Sequence, residues 1–200
     1  VEGISRISWQ NIQKPDKTVT GGDEGVATGI AQCGKDLVTI LDFEKIVAEI
    51  APETSIQMSE IEKLGHRFRN ETPIILAEDS ILLARMIQNA LTKAGYINIT
   101  KFDNGQEAWD YLHSIPEEEV INKVGLVITD IEMPKMDGHH LTKLIKEDAL
   151  LRRVPVVIFS SLINPEMEIK GKEVGADEQL SKPEIGHLVE VLDGLLMKMQ

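Results

Sequence analysis

Three things are scarce in this chain, and each scarcity excludes something. Cysteine is reduced to a single residue, Cys33, so no intrachain disulfide can form, and a lone thiol fits a reducing cytoplasm. Basic side chains are outnumbered: 21 Lys and Arg face 33 Asp and Glu, for a net charge of −12. Phosphate backbones are gripped by Lys and Arg, so this balance argues against general nucleic-acid binding. Long apolar runs are missing too. None approaches the ~18 residues that suggest a membrane span, and direct membrane insertion is not expected. No charged-then-apolar signal segment opens the chain. It starts at Val1 rather than Met, which leads us to expect a processed or trimmed product; the lone cysteine points to a cytoplasmic location. What is present is an apolar fraction of 42%, that of an ordinary soluble chain, with room for one average domain and a smaller piece.

The pattern changes along the chain. Residues 1–57 hold short extended segments: Val1–Trp9 alternates loosely, and Val26–Gln32 and Leu37–Leu41 read as strands about a turn at Gly34-Lys35-Asp36. Asp42 can cap a helix carrying Phe43, Ile46, Val47 and Ile50, which Pro52 stops. Residues 58–71 read as a polar linker with a short helix from Ser59 to Phe68. Residues 72–200 alternate strand and helix. Strands are predicted at 74–77, 97–102, 126–129, 156–159 and 176–181. Helical stripes run through Leu83–Ala94, Gly105–Leu112, Leu141–Ala149, a helix opened by Asn164-Pro165, and Leu188–Met199. Five βα units in ~128 residues fit a doubly wound α/β sheet and fall short of the ~250 residues of an eightfold barrel.

Four of the predicted strands end in a reactive residue: Glu78-Asp79, Asp130, Ser160 and Lys182. Ligands of open α/β sheets bind at the carboxyl ends of the strands. Mg²⁺ takes oxygen ligands and keeps some waters. Asp79 and Asp130 can each give a carboxylate oxygen, Glu78 can hold a metal-bound water, and a backbone carbonyl just after Asp130 can complete the protein's share. Lys182 and Ser160 suit a phosphoryl group. A carboxylate can itself be the nucleophile, and Asp130, on the central strand, is the best placed.

Val127-Ile128-Thr129-Asp130-Ile131-Glu132-Met133-Pro134-Lys135-Met136-Asp137-Gly138 resembles the phosphorylation loop of response-regulator receiver domains. Glu78-Asp79 resembles that family's acidic pair, Ser160 lies 30 residues after Asp130, and Lys182-Pro183 follows 22 residues later. The resemblance covers residues 72–200. It implies a five-stranded parallel sheet of flavodoxin-like order 2-1-3-4-5. It also implies Asp130 as phosphoacceptor, Mg²⁺ held by Asp79, Asp130 and the main-chain carbonyl of Glu132 with Glu78 behind a water, and phosphoryl contacts from Lys182 and Ser160. The Lys182-Pro183 peptide is often cis in the family. One position departs. The family's usual aromatic three residues before the Lys is here Gln179, which puts the ordinary readout in doubt.

Residues 1–57, with Leu37-Val38-Thr39-Ile40-Leu41-Asp42-Phe43-Glu44, resemble the C-terminal part of a CheW-like coupling domain. Such a domain followed by a receiver is the layout of CheV-type chemotaxis adaptors. The resemblance implies a phosphorylation-regulated adaptor, with a chemotaxis histidine kinase and a chemoreceptor as partners. It would modulate receptor–kinase coupling or act as a phosphate sink. Half a barrel leaves open edges, so pairing of two copies through residues 1–50 is expected. The alternative is a stand-alone receiver of another two-component pathway. A Mg-dependent aspartyl-nucleophile phosphatase is remote, because the second acid of its Asp-x-Asp is Glu132 here and no cap insertion is evident. A transcriptional regulator is disfavoured, since no basic helix-turn-helix follows. His139 and His140, adjacent on a helix, diverge by roughly 100° and do not chelate together. His66, His113 and His187 read as surface residues, and Pro116–Glu119 as a solvated loop.

Overall fold

Residues 74–181 alternate five short strands with helices, and every strand runs the same way. The strands are β4 (Ile74–Ala77), β5 (Ile99–Phe102), β6 (Leu126–Thr129), β7 (Val156–Ser160) and β8 (Glu178–Ser181), in spatial order β5-β4-β6-β7-β8. This is the doubly wound order expected from the sequence. The computed structural model describes residues 12–13, 27–33, 36–41, 58–65, 67–161, 163–182 and 184–198. The chain divides into two units, Val1–Ser55 and Ile56–Gln200.

In the first unit, β1 (Ile12–Gln13), β2 (Ala27–Cys33) and β3 (Asp36–Leu41) form an antiparallel sheet in order β1-β2-β3. β2 and β3 lie where the sequence placed them. β1 is too short to carry a period-two signal. The readings of Val1–Trp9 and of a helix over 42–50 lie outside the described residues.

The three inner strands of the second unit, β4, β6 and β7, are buried on both faces, because both faces are covered, whereas the edge strands β5 and β8 carry polar residues. Ile74, Leu76, Leu126, Ile128, Val157 and Phe159 face one core cluster, shared with α2 (Ile81–Lys93) and α7 (Ile185–Met197). The alternate residues Ile75, Ala77, Val127 and Val156 face a second cluster. It is shared with α3 (Gly105–Ser114), α4 (Val120–Lys123) and α5 (Gly138–Glu147). α6 (Pro165–Glu173) begins as read, with Asn164 capping the N–H of Met167 and Pro165 in the first turn. Pro116–Glu119 is exposed, as expected, but Glu117–Glu119 coil into a 3₁₀ turn that leads into α4.

α1 (Met58–Lys63) sits inside the segment read as a linker. It ends earlier than the expected Phe68: Leu64 turns and Gly65 takes φ 75°, a backbone state glycine adopts without strain. The helix is packed, with Ile61 2% exposed in the same cluster as α7.

Candidate functional site

Register decides which polar residues meet. Ala77 pairs with Thr129, and Thr129 with Ile158, so Glu78 and Asp130 leave β4 and β6 side by side. On the other flank Ser160 pairs with Ser181, which brings Lys182 to the same edge. The Lys182 ammonium donates to Glu78 Oε2 at 2.5 Å and to Asp130 Oδ2 at 2.9 Å. Its side chain is 2% exposed, that of Glu78 1% and that of Asp130 11%. Asp79 is exposed at the mouth. Glu78, Asp79 and Asp130 each offer a carboxylate oxygen, all within 4.8 Å of one another.

The charges are unbalanced. Burial pushes the Glu78 carboxyl above its ordinary value. Lys182 pulls it back by charge and hydrogen bond, and the charge of Asp130 adds to the rise. Three carboxyl groups face one ammonium, Glu78 buried, Asp130 half-buried and Asp79 exposed, so the site is richer in acids than in bases. Hard oxygen donors in such a site match what Mg²⁺ requires, so the residues fit the cation.

The loop after Asp130 is held by backbone. Ile131 N–H donates to Asp130 Oδ1 at 2.6 Å and Thr129 Oγ1 donates to the Asp130 carbonyl at 2.9 Å. Gly138 N–H closes the loop on the Ile131 carbonyl at 3.0 Å. Gly138 is required sterically, since a Cβ there would lie 1.9 Å from the Asp130 carbonyl oxygen. Asp137 then caps α5 through the N–H of His140. Midway, Lys135 has φ 65° and its ammonium reaches Glu107 Oε1 at 3.0 Å. Glu107 is also held by Asn104, and the Asn104 hydrogen bond, followed by that from Lys135, lowers its pKa. Sequence reasoning missed this clamp. The Asn104-x-x-Glu107 capping pattern at the start of α3 was the signal that could have found it.

The remaining expected residues separate. Ser160 is 1% exposed at the end of β7, and its carbonyl accepts from Lys182 N–H at 3.1 Å, whereas Ser161 is exposed. Glu132 is exposed on the loop, at the lip of a groove of about 450 Å³ that also touches Met133, His139, Met167 and Lys170. His139 and His140 diverge as expected: His139 is buried and His140 exposed. Burial, followed by the charge of Lys170, lowers the His139 pKa, against smaller upward pulls from Asp137 and the Met167 backbone. His113 and His187 are exposed; His66 and Pro183 lie outside the described residues. Gln179 has a partner of its own. Its Nε2 donates to the Glu168 carbonyl of α6 at 2.9 Å, and its amide lies so near Gly171 that a Cβ there would sit 2.0 Å from its oxygen.

Residues 74–193 match the family model of the response regulator receiver domain. Chemotaxis protein CheV2 of Helicobacter pylori (strain ATCC 700392 / 26695) is 29% identical over 197 residues, which are 96% of this chain and 60% of that protein. Chemotaxis protein CheV3 of the same strain is 26% identical over 200 residues, 98% of this chain and 63% of that protein. The chain thus spans about three fifths of the length of these relatives. Among solved structures, the signal receiver domain of a signal transduction histidine kinase from Syntrophus aciditrophicus superposes with a TM-score of 0.57. It is 29% identical, and the match covers 64% of this chain and 92% of that domain.

Proposed function

The chain belongs to the response regulator receiver domain family, and from that premise we propose that it is a phosphorylation-regulated adaptor of bacterial chemotaxis whose phosphoacceptor is Asp130. The observation that carries the reading is the placement of Asp130 at the end of the central strand. There one carboxylate oxygen is bound by Lys182 and the other by the Ile131 N–H. In the step, an Asp130 carboxylate oxygen attacks the phosphorus of a partner's phosphohistidine. The P–N bond breaks as the acyl-phosphate P–O bond forms, and the imidazole leaves with a proton. Lys182, already desolvated at the site, holds the negative oxygens of the transferring group, and Ser160 supplies a hydroxyl from the adjacent strand end. Asp79, Asp130 and the Glu132 carbonyl would hold Mg²⁺, with Glu78 behind a water, and the cation would neutralise phosphoryl charge. The protein accepts and loses a phosphoryl group as a signal and turns over no separate substrate.

The likeness to CheV2 and CheV3 over nearly the whole chain supports a chemotaxis histidine kinase and a chemoreceptor as cytoplasmic partners, with residues 1–57 the coupling portion and residues 72–200 the receiver. Leu37 and Val38, exposed on β3, the end strand among the described residues of the first sheet, support pairing of two copies through residues 1–50, which light scattering at high concentration tests. The test of the site is incubation with Mg²⁺ and acetyl phosphate, read by intact mass. One phosphoryl adduct is expected in the wild type and none in Asp130→Asn. An adduct that persists in Asp130→Asn removes the assignment. Pull-down of a chemotaxis kinase and a receptor tip by the full-length protein tests the adaptor role.

A further inference from the structure

α7 begins without a cap of its own. The residue before it, Glu184, makes no side-chain capping bond, which leaves first-turn N–H groups to be satisfied elsewhere. One of them, Gly186 N–H, donates at 3.0 Å to Glu60 Oε2 of α1, 126 residues away in sequence. A carboxylate at a helix N-terminus is favoured by both hydrogen bond and dipole. The approach is close: a Cβ on Gly186 would lie 3.0 Å from Glu60 Cβ and 3.1 Å from Oε2, so Glu60 would have to give way slightly. Next to Glu60, Ile61 is buried in the core cluster that α7 lines. Beyond it, Arg67 pairs with Asp193, far along the same helix, at 2.6 Å, and Asp193 also accepts from the buried Tyr96 hydroxyl at 2.5 Å. The segment from Glu60 to Arg67 is therefore a strap fastened to α7 at two points, one at its first turn.

That first turn is the part of α7 nearest the phosphorylation chemistry. Lys182 is four residues before Gly186, and between them Glu184 N–H bonds the Ser181 carbonyl at 3.0 Å. Lys182 is anchored at its tip by Glu78 and Asp130. Gln179, which stands where an aromatic was expected, is committed to α6 through the Glu168 carbonyl.

We propose that residues 58–67 are the output element of this receiver, with Glu60 on the α7 N-terminus as its latch. The proposal rests on Asp130 being the phosphoacceptor. A phosphoryl group adds roughly two negative charges and three strong acceptor oxygens, which compete with Glu78 for the Lys182 ammonium. As Lys182 re-seats, the turn from Ser181 into α7 moves, the Gly186 N–H leaves Glu60, and the strap loosens. The change reaches the chain that enters the receiver without needing a rotating aromatic at position 179.

The experiment is amide deuterium exchange on the whole chain with Mg²⁺, with and without acetyl phosphate, with the adduct scored by intact mass in the same samples. On phosphorylation, exchange in the 58–67 segment and the first turn of α7 is expected to rise by about tenfold or more, as a local opening does. Glu60→Ala is expected to show that fast exchange without phosphate and to gain little more with it. Should that variant fail to fold, Glu60→Gln, which keeps an acceptor oxygen but loses the charge, is expected to fall between. Adduct formation with unchanged exchange at 58–67 overturns the strap and leaves the phosphoacceptor standing. Absence of any adduct overturns both.

Discussion

Lys182→Met tests the charge balance of the site most directly. The Lys182 ammonium is nearly fully buried and holds two carboxylates, at 2.5 Å and 2.9 Å. Met matches its length and supplies no charge. Breaking a buried ion pair by removing one partner costs about 3–5 kcal/mol, because the other charge stays behind unpaired. Glu78 can limit that loss by taking up a proton, since burial already holds its pKa above the ordinary carboxylate value. A carboxyl whose folded pKa is raised favours the fold most below its unfolded value. That contribution fades as pH rises through the folded pKa. Removing Lys182 removes two of the influences that hold the Glu78 pKa down, so the window of fading stability moves upward. The assay is urea unfolding in EDTA at about pH 5 and about pH 8, followed by Trp109 fluorescence in a Trp9→Phe background. The expected deficit against wild type is about 3 kcal/mol or more at the higher pH and clearly smaller at the lower one, because the raised pKa of Glu78 favours its protonated form as pH falls. In the Glu78→Gln/Lys182→Met double variant the loss should fall short of the sum of the two single losses by more than about 1 kcal/mol. A deficit below about 1 kcal/mol at the higher pH, or one that does not shrink on acidification, would refute the reasoning.

Gly138→Ala forces a Cβ against the Asp130 carbonyl and is expected to cost about 1–3 kcal/mol and to slow phosphoryl uptake, read by thermal unfolding and intact mass; an unchanged melting temperature would count against the packing described. Tyr96→Phe deletes a buried hydroxyl that donates to Asp193. A loss of about 1.5–3 kcal/mol, the usual worth of a hydrogen bond to a charged group, is expected by urea titration, and a loss near zero would show that Arg67 alone satisfies Asp193. Gln179→Tyr installs the aromatic the family pattern asks for but deletes the Nε2 bond to the Glu168 carbonyl, beside a Gly171 packed close against the amide; destabilisation of about 0.5–1.5 kcal/mol is expected, and an unchanged midpoint would mean that this bond contributes nothing to holding α6.

Much of the receiver was legible in the sequence because a strand buried on both faces has to be apolar throughout. The runs Ile74–Ala77, Leu126–Thr129 and Val156–Ser160 therefore announce themselves. The residues that follow them fall at the sheet's carboxyl edge by the rule that governs parallel sheets. The helix start at Asn164-Pro165 was equally readable, since a cap is a local pattern. The short helix before the sheet was expected within 59–68, but its docking was not: α1 looks polar in sequence, and among its described side chains Ile61 is the one buried in the core. A single residue has no period.

By itself, then, the sequence determined the order of elements, the residues that end the strands and the oxygen-rich chemistry they offer, because those depend on local periodicity and residue type. Tertiary structure decided the pairings: that Lys182 binds both Glu78 and Asp130, that Gln179 is held by Glu168, and that Glu60 caps a helix 126 residues away. The reason is physical. A side chain's charge and reach are its own, but which opposite charge or orphan N–H lies within about 3 Å of it is set by strand register and helix packing. Those follow from the whole chain burying its apolar faces at once.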